Sequence, residues 1–151
     1  MGKNINLEEN KDVTQTIGEI SYEILELLNL AMENNKIFIY PGAIRHIKRR
    51  HPYAFKLYFK KIPEVIAYPD YIGMSSQNPK RIELVRCYKD NILVALKLDE
   101  NYNLFVSSMY IIEENRIEKR VEYGRLQPIK LEGLNIHNRE KNRNPPQYAR
   151  Y

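Results

Sequence analysis

Ile92-Leu93-Val94-Ala95-Leu96-Lys97-Leu98 decides the fold. Ile92, Val94, Leu96 and Leu98 alternate with Leu93, Ala95 and Lys97, so both faces are apolar except at Lys97. A strand of this kind is covered on both sides and lies centrally in its sheet. Three further runs flank it: Arg81 to Tyr88, Asn103 to Ile111 and Arg116 to Tyr123. The four runs start 11–13 residues apart. Lys89-Asp90-Asn91, Asp99 to Tyr102 and Glu113-Glu114-Asn115 separate them. Turns this short join neighbours as antiparallel hairpins, which predicts a four-stranded meander.

Upstream the periodicity is different. Val13 to Ile20 alternates weakly and reads as a short strand. Ser21 has the character of an N-cap, and Ile24, Leu25, Leu27, Leu28 and Met32 follow at helical spacing, which predicts a helix over 22–33. Lys36 to Tyr40 is a β-rich run ended by Pro41-Gly42. A second helix is expected over 42–50, with Ala43, Ile44 and Ile47 inward. Pro52 suits the first turn of a third helix, over 52–62, whose Tyr53, Phe55, Tyr58 and Phe59 read as core and groove wall. Pro63 and Pro69 break up a connecting segment, and Asp70 to Pro79 reads as a loop. The fold class is α+β: N-terminal helices packed on a four-stranded antiparallel meander.

The chain has 151 residues, 43% of them hydrophobic, which fits one domain with a core of its own. Residues 1–12 read as a flexible lead, 13–130 as the domain and 131–151 as a polar basic tail. The tail holds His137, to which no role is assigned, and Pro145-Pro146-Gln147-Tyr148, the pattern of a WW-domain ligand. One cysteine, Cys87, excludes an intrachain disulfide and suits a reducing compartment, so a cytoplasmic protein is expected. The polar lead is no secretory signal, and no apolar run approaches the ~20 residues of a membrane span. No GxGxxG or GxxxxGK[ST] signals a nucleotide cradle. With three histidines, one cysteine and no HExxH or CxxC, neither a metal nor another cofactor is expected.

The net charge of +5 is unevenly spread. Residues 1–35 carry two cations and seven acids, whereas residues 36–61 carry eight cations and no acid. A basic block of that size draws polyanions, nucleic acid first among them. At its centre is Ile44-Arg45-His46-Ile47-Lys48-Arg49-Arg50-His51-Pro52. Imidazoles exchange protons near neutral pH, and arginine and lysine hold phosphate. RNA cleavage by its own 2′-hydroxyl needs a base, an acid and cations around the phosphorane, and this stretch has them all. Helical geometry sets His46 and His51 on different faces, so the bend at Pro52 has to re-aim one of them. Elsewhere, Lys97 interrupts an apolar strand, and Ser107, Ser108 and Tyr110 place hydroxyls in the next one.

Taken in order, Ile44 to Pro52, Tyr68-Pro69-Asp70-Tyr71-Ile72-Gly73, the predicted meander and Ser107-Ser108-Met109-Tyr110 resemble the phage-type nucleases of the barnase–EndoU–colicin–RelE fold group. The likeness spans about residues 17–125. It implies metal-independent RNA cleavage, often by a toxin or mobile-element effector. By that resemblance His46 and His51 match the histidine pair, Lys97 is the sheet cation, and Ser108 or Tyr110 is the late-strand hydroxyl. A threonine is more typical at that last position.

The reading is therefore an endoribonuclease, with tRNA or another structured RNA as substrate and a cognate immunity or antitoxin protein as a further partner. Catalysis falls to His46, His51, Lys97, Ser108 and Tyr110, and RNA binding to Arg45, Lys48, Arg49, Arg50, Lys60 and Lys61. The competing reading is a non-catalytic module of phage origin that grips nucleic acid or protein with the same basic helices.

Overall fold

The computed structural model describes residues 13–75 and 81–129. Its elements are β1 (Gln15–Glu19), α1 (Tyr22–Leu27), β2 (Lys36–Ile39), α2 (Pro41–Arg50) and α3 (Pro52–Tyr58). A 3₁₀ turn (Phe59–Lys61), α4 (Ile62–Ala67), β3 (Tyr71–Met74), β4 (Arg81–Cys87) and β5 (Asn91–Leu98) follow, then β6 (Leu104–Ile111), α5 (Glu114–Glu122) and β7 (Leu126–Pro128). The predicted lead and tail lie outside the described residues, as does the last part of the predicted 70–79 loop.

The sheet has seven strands in the order β1-β2-β6-β5-β4-β3-β7, with the doubly apolar β5 in the middle. It is mixed, because β2 runs parallel to β6 while the other pairs are antiparallel. This corrects the four-stranded meander. Residues 116–123 form most of a helix rather than a fourth strand, because Ile117 and Val121, four apart, give one face to the core. The Tyr71–Met74 segment, expected in a loop, pairs with β4 and β7 on its two sides.

Alternation along β5 divides the core in two. Ile92, Val94 and Leu96 join a large cluster under α1–α4, which includes Ile24, Ile47 and Ile66. Leu93 and Ala95 join a smaller one with Val85, Ile112 and Ile117 on the α5 side. Burial on both faces supplies most of the driving force, at roughly 25 cal/mol per Å² of apolar surface.

Several boundaries have local causes. Ser21 caps α1 by accepting from Ile24 N at 3.1 Å. The helix stops at Leu28, not at 33, because Asn29 takes a left-handed conformation (φ 63°) and the N–H of Leu30 donates to Leu25 O. Pro63 does not break the chain, since it sits in the first turn of α4, where its missing N–H costs nothing. The predicted 52–62 helix becomes α3, a 3₁₀ turn and the start of α4.

Two features hold α2 along β6. The Tyr40 ring meets Phe105 edge-on at 5.2 Å, and its hydroxyl donates to Asp99 in the β5–β6 turn at 2.9 Å. Asp99 also accepts from the N–H groups of Asn101 and Asn103, which fixes that turn. Hydrogen bonding to Asp99 raises the pKa of Tyr40, so the phenol stays protonated. Beyond Phe105, no residue of β6 pairs with β2, and α2 packs against β6 there.

Candidate active site

His46 lies in the second turn of α2, two residues from the buried Ile44 and next to the buried Ile47. His51 ends that helix with φ −134° and ψ 61°, and Pro52 starts α3 behind it. This break overcomes the divergence that an uninterrupted helix would impose. The two imidazole centroids are 6.2 Å apart and nearly perpendicular. Burial, the largest cause, and then the electrostatic influence of His46 and Arg50 lower the pKa of His51 from its ordinary value. Its imidazole is thereby held in the neutral, proton-accepting form.

On its other side His51 meets Tyr110 of β6, with ring centroids 5.5 Å apart. The Tyr110 hydroxyl accepts a hydrogen bond from Arg81 Nη2 at 3.3 Å. Arg81 pairs with Lys97 across β4–β5, and Lys97 pairs with Phe105 across β5–β6. Tyr110 stands opposite Leu93, and Ala95, midway between Leu93 and Lys97, is the small residue over which the Arg81–Tyr110 bond crosses. Arg81 is the site residue that the sequence reading missed. A charged residue opening a strand reads as a solvent-facing end, and only the register exposes its diagonal reach.

Ser107 and Ser108 sit in a register shift of β6, where Ala95 pairs with Ser108 and Leu96 with Val106. Ser107 is the extra residue, and its Oγ donates to Ala95 O at 3.2 Å. Bulges of this kind re-aim side chains near functional sites. Ser108 and Tyr110 share the α5-side face by alternation. Lys97 is half-buried on that face, four positions along β5 from the partner of Tyr110, which is about 13 Å of strand. It belongs with Arg81 at the far end of the face and is not in ring contact with the histidines.

The remaining cations are distributed differently. Arg45, Lys48, Arg49 and Arg50 are exposed on α2, and Lys48 Nζ lies over the Phe55 ring at 5.9 Å. Lys60 is exposed on the 3₁₀ turn. Lys61 turns to the helix-covered face, with its ammonium 3.7 Å from Glu64 and over Tyr88. Of the aromatic residues expected as wall or core in α3 and its extension, Phe59 is buried, Phe55 and Tyr58 are half-buried, and Tyr53 is exposed. Cys87 is a buried strand residue. Among the described residues no group of three or more His, Cys, Asp or Glu side chains could hold a metal ion. Nor is any described helix long and apolar enough to cross a membrane.

Helices around a mixed sheet, with two imidazoles, a phenol and a guanidinium in one chain of contacts beside clustered cations, define a small α+β protein. The chain belongs to the PBECR3 family, phage-Barnase-EndoU-ColicinE5/D-RelE like nuclease3, whose model matches residues 15–119. That span includes both histidines, Arg81, Lys97 and Tyr110. Comparison with curated proteins and with solved structures found no match.

Proposed function

We propose that this protein is a metal-independent endoribonuclease, a toxin-like effector of phage or mobile-element type that cuts tRNA or another structured RNA. The observation that carries the reading is the unbroken sequence of contacts from His46 through His51 and Tyr110 to Arg81. His51, held neutral, takes the proton of the 2′-hydroxyl. The 2′-oxygen attacks the adjacent phosphorus, and the bond to the 5′-oxygen breaks to leave a 2′,3′-cyclic phosphate. His46 gives the leaving oxygen its proton. Arg81, with the hydroxyls of Tyr110 and Ser108, steadies the charge that builds on the phosphorane, and Lys97, at the far end of the same face, holds the RNA backbone beyond it. Arg45, Lys48, Arg49 and Arg50 guide the rest of the polyanion along α2.

The test is incubation of the purified protein with a broad RNA panel in EDTA, followed by analysis of the new ends. Wild type is expected to yield 2′,3′-cyclic phosphates, and the His46→Ala, His51→Ala double variant none. Equal inertness of both proteins on every RNA would reject the enzyme. Salt-sensitive RNA binding without cleavage would favour the alternative, a non-catalytic nucleic-acid-binding module.

A further inference from the structure

Arg81 is part of a second charged group. Glu83, two residues along β4, is completely buried. Its carboxylate faces three guanidinium groups. Arg125 holds it with two bonds, Nε to Oε1 at 3.0 Å and Nη2 to Oε2 at 2.7 Å. Arg120 Nη1 donates to Oε1 at 3.2 Å. Arg81 Nε lies 3.5 Å from Oε2 and, though buried, makes no hydrogen bond among the described residues. Three cations against one anion leave an excess of two positive charges. A single bidentate arginine would satisfy Glu83, so the excess needs another reason.

The backbone is shaped to assemble this group. Gly124 ends α5 in a left-handed turn (φ 81°), where the N–H of Arg125 donates to Arg120 O at 2.8 Å. That turn brings both arginines to one place. Gly73 pairs with Glu83 across β3–β4, and a Cβ on it would lie 1.8 Å from Arg125 O. The missing side chain at Gly73 is what admits Arg125 beside Glu83. Arg81, Arg120 and Arg125 keep 26%, 16% and 35% of their side-chain surface exposed, so their outer edges reach solvent. Arg120 and Arg125 lie beyond the residues that the family model matches.

We infer that Arg81, Arg120 and Arg125, gathered on Glu83, form a second anion subsite, which binds a backbone phosphate of the RNA next to the one being cut. The inference rests on the nuclease reading for its substrate. Arg81 links the two places, because its Nη2 reaches Tyr110 while its Nε faces Glu83. The substrate would then have to extend beyond the two nucleotides that flank the scissile bond. A guanidinium cluster suits phosphate because its forked donors match the oxygens in pairs.

The subsite can be tested without cleavage, using 2′-deoxy oligonucleotides that lack the attacking hydroxyl. Binding of a thymidine dinucleotide is compared with that of the trinucleotide at low salt. The added phosphate is expected to tighten binding to wild type by about tenfold or more, as one charge-assisted contact would. Arg120→Gln, which leaves the bidentate Arg125 on Glu83, is expected to lose most of that gain. Arg120→Lys, which keeps the charge and loses the fork, is expected to lose part of it. Wild-type binding that does not tighten with the added phosphate would overturn the subsite, and so would a full gain in Arg120→Gln. A protein inert on all RNA that still shows an Arg120-dependent gain keeps the subsite and loses the nuclease reading. A protein that cleaves RNA without the gain loses only the subsite.

Discussion

His51 and Tyr110 face each other with ring centroids 5.5 Å apart, although one ends a helix and the other lies in the third strand of the sheet order. The contact depends on the break before Pro52, which turns the imidazole away from the α2 stripe. Replacing His51 with Gln keeps a polar side chain and removes the proton carrier. The expected loss in kcat is roughly 10²–10⁴-fold, the ordinary range for a general base or acid. The pH–rate profile checks the role. Burial lowers the pKa of His51 below 6.5, so the acid limb in wild type should lie below that pH and vanish in His51→Gln.

The same shift has a consequence for stability. Because the folded-state pKa is depressed, the unfolded chain binds the proton more readily between the two values. This contribution to stability is therefore fully present above pH 6.5 and lost as pH falls toward the folded pKa. Denaturant titrations across pH 4–8 should show His51→Gln losing less stability on acidification than wild type. A steeper loss in the variant would contradict the assignment.

Tyr110→Phe keeps the ring against His51 and removes the acceptor of the Arg81 bond at 3.3 Å. Stability should change by only about 1 kcal/mol, as for one hydrogen bond that is not fully buried. Activity should fall by about tenfold, since Arg81 loses the anchor that aims it along the face. Parallel measurements of kcat/KM and urea unfolding separate the two effects. A large stability loss with unchanged activity would make Tyr110 structural.

The central strand and the histidine pair were legible because each leaves a local signal: apolar residues on both faces in Ile92–Leu98, and two imidazoles in an acid-free basic run. Other parts were not. Residues 116–123 carry enough alternation to pass for a strand, and Ile117 with Val121 outweighs it only once the sheet offers a face to cover. Gly124 was the available clue, since a glycine there ends a helix as readily as it makes a turn. Tyr71–Met74 looked like loop because Pro69 and Gly73 flank or interrupt it. Its burial comes from strands on both sides, one of them the distant β7. Glu83 is a single acid inside the Arg81 to Tyr88 run, and no local pattern announces three arginines drawn from separate elements.

Lys97 separates a charge role from a structural one. It is half-buried at a strand end, opposite Arg81, where two like charges in register cost stability. Lys97→Met keeps the aliphatic stem and removes the repulsion. Thermal unfolding should therefore be unchanged or slightly raised, while RNA affinity falls and its log–log salt slope drops by about 0.7 for one lost phosphate contact. A lower melting temperature with an unaltered salt slope would show that the lysine serves the sheet alone.

Gly73→Ala tests how the arginine group is held in place. The added methyl would meet the carbonyl oxygen of Arg125 at 1.8 Å, and backbone, unlike a side-chain tip, cannot rotate aside. β7 must then move off β3, since Gly73 pairs with Leu126. The cost expected for such overpacking is about 1–3 kcal/mol, or more if the strand detaches. Hydrogen exchange should locate it, with protection lost first at the β3–β7 pairs around Ile72 and Leu126 and retained across β5–β6. If Arg125 is drawn off Glu83 as well, a buried carboxylate loses its bidentate partner and the penalty rises toward that of Glu83→Ala, which leaves three arginines without their anion and should cost about 3–5 kcal/mol. Urea unfolding of the two variants beside wild type gives that ordering. A Gly73→Ala protein as stable as wild type would mean that the close approach of Arg125 is not needed to keep β7 in the sheet.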